Sequence, residues 1–239
     1  MRFPIGALVF LFCFVNGFGE EASLKSAKAA YQKADALLDE VYRKAKSAFS
    51  EYEFAELRKE QLDWLEYREN RSNSAAVYDG GVPEGKEQTS VDYWETAEAI
   101  TATRTRIING LINPDTITDK VWEGSWEDGE GGILDISENE DGSIVFLAQC
   151  VRGPTYHTGS ISGTAPTNGN QARFTEASEV EGEGEIWLTF IREGARLELF
   201  GQNTSHYHGM RAYFDGTYVR VAKLDSDKFK KEFEQYHGN

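Results

Sequence analysis

The sequence predicts an α+β chain of two modules: an antiparallel three-helix domain, then an antiparallel meander β-barrel with a short C-terminal helix. A β-sandwich is the alternative for the second module. Composition changes near residue 113, where a stretch rich in Ala, Leu, Glu and Lys (22–112) gives way to one rich in Gly, Thr, aromatic and β-branched residues (121–221). In the first stretch apolar residues recur at three- and four-residue steps, the spacing of one helix face. In the second, short apolar runs are broken by turn residues about every 8–12 positions, the signature of an all-β unit.

The chain opens with Met1-Arg2 and an almost unbroken apolar run from Phe3 to Val15, followed by small residues at Gly17 and Gly19. A basic start, a short apolar core and small residues predict a cleavable export signal over 1–19, cut after Gly19 or, second, after Gly17. The run falls short of the roughly 20 apolar residues that span a bilayer. Phe12, directly before Cys13, is too bulky for lipid attachment. The expected location is therefore periplasmic or secreted, without a membrane anchor. Residues 113–120, containing Asn113-Pro114-Asp115, read as a linker, and 222–239, with Phe229, Phe233 and Tyr236, as a terminal helix or tail.

The chain has 25 basic and 40 acidic residues. Loss of Arg2 with the leader leaves 24 against 40, a net charge of −16. Nucleic acid and anionic membranes demand clustered Lys and Arg, so both are excluded as partners. A cationic partner would be drawn in by such a field, which also favours solubility. Only Cys13 and Cys150 occur, so Cys150 has no internal disulfide partner once the leader is gone. It lies in a strand-like apolar run, as a buried structural thiol would; pairing between chains stays open, as does the oligomeric state.

In the helical module Leu38, Val41, Tyr42, Ala45, Phe49 and Tyr52 form one stripe. Phe54, Leu57, Gln61, Trp64 and Arg68 form a second, with Leu62 and Leu65 beside it, and Ala97, Ile100, Arg104, Ile107, Ile108 and Leu111 a third. Residues 71–90 between the second and third read as a polar loop. Asp35, Arg68 and Arg104 fall within the stripes. A charge on a core face must be paired or reach the rim, so Asp35 is expected to face one or both arginines, with snorkelling to water as the alternative.

In the β module the expected strands are 122–126, 133–136, 144–147, 159–163, 172–174, 186–191, 196–200, 210–214 and 217–221, with turns at Asp141-Gly142, Glu193-Gly194 and Asp215-Gly216. Candidate chemistry is sparse. His206 and His208 lack a third ligand for a metal, and the acidic turns 127–130, 138–141 and 179–185 lack the ligand order of a helix-loop-helix calcium site. No Gly-x-Ser-x-Gly elbow occurs, and 40 acidic residues single out no catalytic carboxylate pair. No catalytic, metal or cofactor residue is assigned, and no cofactor is expected. Trp122, Trp126, Trp187, Tyr207, Tyr213 and Tyr218 fit either a core or a ligand pocket.

The helical module carries Asp35-x-x-Leu38-Asp39-x-x-Tyr42, then Leu57-x-x-x-Gln61-x-x-Trp64-x-x-Tyr67-Arg68, and Thr101-x-x-Arg104. Over about residues 30–112 this pattern resembles the N-terminal domain of the LprI-type lysozyme inhibitors, exported bacterial helical domains. The family commonly has cysteines bracketing the loop between the second and third helices, and none occurs here between 20 and 149. The resemblance implies a non-enzymatic bacterial protein that binds a cationic lysozyme. Family members often have Asn where this chain has Asp39; the other ten motif residues fall on helix faces, as scaffold would, which leaves exposed loops such as 71–90 for contact. An envelope carbohydrate- or peptidoglycan-binding module is the alternative, and a hydrolase of unknown substrate the third reading.

Overall fold

The computed structural model describes residues 18–114, 121–153, 155–178 and 184–237. Residues 1–17 of the expected leader, linker residues 115–120 and part of the acidic turn 179–185 lie outside the described residues. The first part of the chain folds into α1 (Phe18–Ala48), α2 (Glu51–Tyr78) and α3 (Val91–Ile112). Ser50 starts α2 with a capping box: Glu53 N donates to its Oγ (3.3 Å) and Ser50 N to Glu53 Oε2 (2.8 Å). Ser90 caps α3 by accepting from Asp92 N (3.1 Å). α3 packs against both other helices. Leu38, Val41, Ala45, Leu57, Trp64 and Ile108 make the shared core.

The second stripe is narrower than expected, since Leu62 and Leu65 are 63% and 39% exposed; Tyr52, placed in the first stripe, lies in α2 and is exposed. The polar loop is shorter too. α2 continues through Arg71 to Tyr78 because Ser72, Ala75 and Ala76 are fully buried, and packing of that small-residue face overrides weak local propensity. Only residues 79–90 form the connection, with one tight turn at Glu87–Thr89.

The second part contains nine described strands: β1 (Gly124–Glu127), β2 (Gly132–Glu138), β3 (Ile144–Arg152), β4 (His157–Ala165), β5 (Thr167–Asn168), β6 (Gln171–Glu176), β7 (Ile186–Glu193), β8 (Arg196–Gln202) and β9 (Gly216–Ala222). All pairings are antiparallel, in the order β4-β3-β2-β1-β9-β8-β7-β6-β5. The two ends of that order are one continuous segment bent at Pro166: β4 pairs with β3 before the proline and β5 with β6 after it. The sheet thereby curls into a nearly closed barrel rather than a sandwich. Pro166 has no N–H to contribute to a ladder, which suits it to this corner.

Alternate residues point inward, and the interior is filled by Trp126, Leu134, Ile136, Phe146, Leu188, Phe190 and Tyr218, all fully buried. Residues 210–214, expected as a strand, are irregular. Ala212 and Phe214 point into the core as a strand pattern would, but Ala212 N turns back to Gly209 O (2.9 Å) and Met210 is 95% exposed. Asp215-Gly216 accordingly leads into β9 instead of closing a hairpin. The turn glycines Gly142 and Gly194 do adopt the left-handed backbone expected of them (φ 82° and 59°). The terminal helix α4 (Ser226–His237) rests on β2, with Phe229 buried and Lys230 Nζ donating to Glu138 O (2.8 Å).

The two parts meet where α3 lies across the outer face of β9. Gly110 is the point of closest approach: a Cβ there would overlap the Arg220 carbonyl oxygen and crowd Val219 Cγ1 (3.1 Å). Gly110→Ala is therefore expected to destabilise by about 1–3 kcal/mol through overpacking, despite alanine's better helix propensity. Chemical unfolding followed by tryptophan fluorescence measures it, and an unchanged or raised midpoint would show that the helix can lift off β9 without loss.

Candidate functional site

The ten motif residues converge on the helix interfaces. Arg68 on α2 reaches α1 and α3 together: its Nη1 donates to Asp35 Oδ1 (3.1 Å) and to Thr101 Oγ1 (3.3 Å), and Thr101 Oγ1 in turn donates to Ala97 O (2.7 Å). The guanidinium lies over the Trp64 ring (4.8 Å) and near that of Tyr31 (5.4 Å). Arg104 takes a different partner from Asp35. Its Nε donates to Gln61 Oε1 (2.9 Å), and the nearest carboxylate, Glu60, stands at 3.8 Å. Asp35 does not serve both arginines: Arg68 meets it on the α1 side, whereas Arg104 is turned toward the barrel among Glu60, Ile107 and Arg196. Leu38 and Leu57 are buried in the helical core; Tyr42 packs on it, its ring 5.2 Å from that of Phe54. Tyr67 is half-buried, and burial raises its pKa.

Two tyrosines hold α2 at its C-terminal end. Tyr93 OH on α3 donates to Glu69 Oε2 (2.9 Å), and Tyr156, at φ 52° in the β3–β4 hairpin, donates to Asp79 Oδ2. Burial first, then the adjacent carboxylate, pushes each phenol up to about 12. A phenol ionises near pH 10 in the unfolded chain, so the folded state binds protons more tightly. Their contribution is complete below about pH 10 and is lost as the pH rises toward about 12. Thermal melts across this range should show the decline, and the Tyr93→Phe/Tyr156→Phe double variant should show a shallower one; equal slopes would discount both bonds.

Between α2, α3 and the barrel lies a cleft of 360 Å³. The β1–β2 turn borders it, Gly129 touching down near Ile107 Cδ1. Trp64, Arg104, Ile107 and Val219 make buried parts of its wall, and Asp63, Glu130 and Asp215 stand exposed around it. Desolvation, then repulsion from Asp128, raises the Glu130 pKa. Asp128 itself is engaged: Oδ1 accepts from Glu130 N and Gly132 N (both 2.8 Å) and Oδ2 from Arg152 Nη2 (2.5 Å). With its oxygens occupied and its side chain 6% exposed, Asp128 is not placed to act as nucleophile or base beside Glu130. Sequence reasoning missed this cleft because its carboxylates come from separate segments. The one local signal was the pair of glycines flanking Glu130, both with positive φ (84° and 97°).

The remaining candidates do not converge. Thr204–Tyr207 is a tight turn, and His208 bonds locally to Thr204 Oγ1 (3.2 Å). Among the described residues no group of three His, Cys, Asp or Glu side chains is placed to hold a metal ion. Cys150 is buried in the barrel, which raises its pKa. Of the six aromatics, Trp122, Trp126 and Tyr218 are core. Trp187 stacks on Arg173 (4.0 Å) and Tyr213 on Arg152 (4.5 Å), while Tyr207 packs on the core edge and donates to Glu176 (2.5 Å). No described helix is long and apolar enough to cross a membrane.

Residues 20–107 match the family model described as lysozyme inhibitor LprI. The match takes in α1, α2 and most of α3, and ends before the barrel begins. Neither the curated proteins nor the solved structures contain a match to the chain.

Proposed function

We propose that the chain is an exported, non-enzymatic binding protein that captures a cationic lysozyme and lowers its activity. The family match over residues 20–107 carries this reading. Charge supports it: over 121–223 the chain has 16 acidic and 7 basic residues, so the barrel adds a strong negative field beside the helical part. That field accelerates encounter with a positively charged partner. In this reading the ten motif residues act as scaffold, joining α1, α2 and α3 through Arg68 and Arg104. Contact falls to exposed backbone such as loop 79–90, where Gly81 and Gly85 hold positive φ (63° and 82°).

Lysis of bacterial cell walls by a cationic lysozyme, with the protein lacking residues 1–19 in several-fold molar excess, tests the proposal. Lysis should fall at low salt and recover as ionic strength rises, because the steering charges are screened beyond about 10 Å at 0.1 M salt. Unchanged lysis at low salt rejects inhibition.

A further inference from the structure

We infer that the cleft between α2, α3 and the barrel binds a short neutral saccharide. Two buried donors on its wall, Trp64 Nε1 and Arg104 Nη2, have no hydrogen-bond acceptor among the described residues. The two residues are 5% and 6% exposed, and a buried donor left unmade is destabilising, so each calls for an acceptor. Their neighbours are already committed. Gln61 takes Arg104 Nε, and Glu60 takes Arg196 (2.9 Å) while standing 3.8 Å from Arg104 Nη2. The Arg68 guanidinium covers one face of the Trp64 ring.

Around these donors stand Asp63, Glu130 and Asp215, which can only accept when ionised. Asp215 Oδ1 already receives Gly201 N (2.5 Å), leaving its other oxygen. A ligand for this cleft must accept from the wall and donate to the surrounding carboxylates. Simple anions are repelled by those carboxylates, and simple cations leave the two donors unmade. A sugar hydroxyl both donates and accepts, and the apolar sides of Ile107 and Val219 can meet the C–H face of a pyranose ring. The volume, 360 Å³, falls within the usual range of small-molecule sites, about 300–1,000 Å³. This site involves no contact with lysozyme and stands or falls separately from inhibition.

The test is a titration of the ¹⁵N-labelled protein, without lysozyme, with maltotriose and with triacetylchitotriose. The chain has five tryptophans, whose indole N–H signals are assigned by triple-resonance spectroscopy, with Trp64→Phe as a check. At least one sugar should shift the Trp64 signal saturably. Asp63→Ala/Glu130→Ala, which alters only exposed side chains, should weaken that binding about tenfold while leaving the other indole signals in place. No shift with either sugar, undiminished binding by the double variant, or saturation by acetate or methylguanidinium in place of sugar would overturn the assignment.

Discussion

Asp128→Ala is expected to cost about 3–5 kcal/mol, because it strands a buried cation. The side chains of Asp128 and Arg152 are 6% and 3% exposed. Burial alone would pull the Arg152 pKa down, but Asp128 more than reverses that, so the guanidinium is held charged. Arg152 also donates to Glu130 O (2.9 Å) and Tyr213 O (3.2 Å), tying the β1–β2 turn to the segment before β9. Without Asp128 the arginine keeps these carbonyls but loses its counter-charge, and the N–H groups of Glu130 and Gly132 lose their acceptor. Urea unfolding would measure the loss. The Asp128→Ala/Arg152→Met double variant should regain part of it, since an apolar replacement of a whole buried pair is often near neutral. A single-variant loss below about 1 kcal/mol would be that of a solvated pair.

Phe146→Ala is expected to cost a similar amount, about 3–5 kcal/mol. Phe146 is fully buried on β3, its ring 5.3 Å from that of Phe174 and 5.0 Å from that of Phe190, joining strands from both halves of the sheet. Phe174 lies over Gly163, where a Cβ would collide with it, so the site is tightly fitted and cannot collapse freely around a cavity. The transition midpoint in urea reports the change. A cost below about 1.5 kcal/mol would match a volume-conserving swap and mean that the core repacks.

The helices and most strands were legible because their apolar positions repeat at the periods that burial imposes. Pairing between elements was less so. The stripes placed Asp35, Arg68 and Arg104 on inward faces, but which arginine met Asp35 depends on how the helices are offset, and no residue spacing encodes that. The end of α2 was misplaced because Asn70 to Ala76 is locally indifferent; its helicity comes from the neighbour that covers Ser72, Ala75 and Ala76. Residues 210–214 failed for the opposite reason, since alternation also arises when a loop drops Ala212 and Phe214 into the barrel mouth. β5 is two residues long and has meaning only through its partner β6. The cleft is a property of the junction, assembled from residues 60–64, 104–107, 128–130, 196 and 215–219, and no local pattern announces such a meeting.

The pairing of β1 with β9 joins strands nearly a hundred positions apart, Trp126 opposite Arg220. The barrel therefore cannot close until almost the whole chain has been made, whereas α1 to α3 can find one another early. Long-range pairings of this kind slow folding, since the intervening chain must be restrained before contact returns any stability. A nascent chain ending before residue 216 would leave both β1 and β8 with an open edge, and the face of α3 around Gly110 uncovered. β9 is thus the keystone of assembly: its arrival closes the sheet, gives α3 its seat and completes the wall of the cleft in one event.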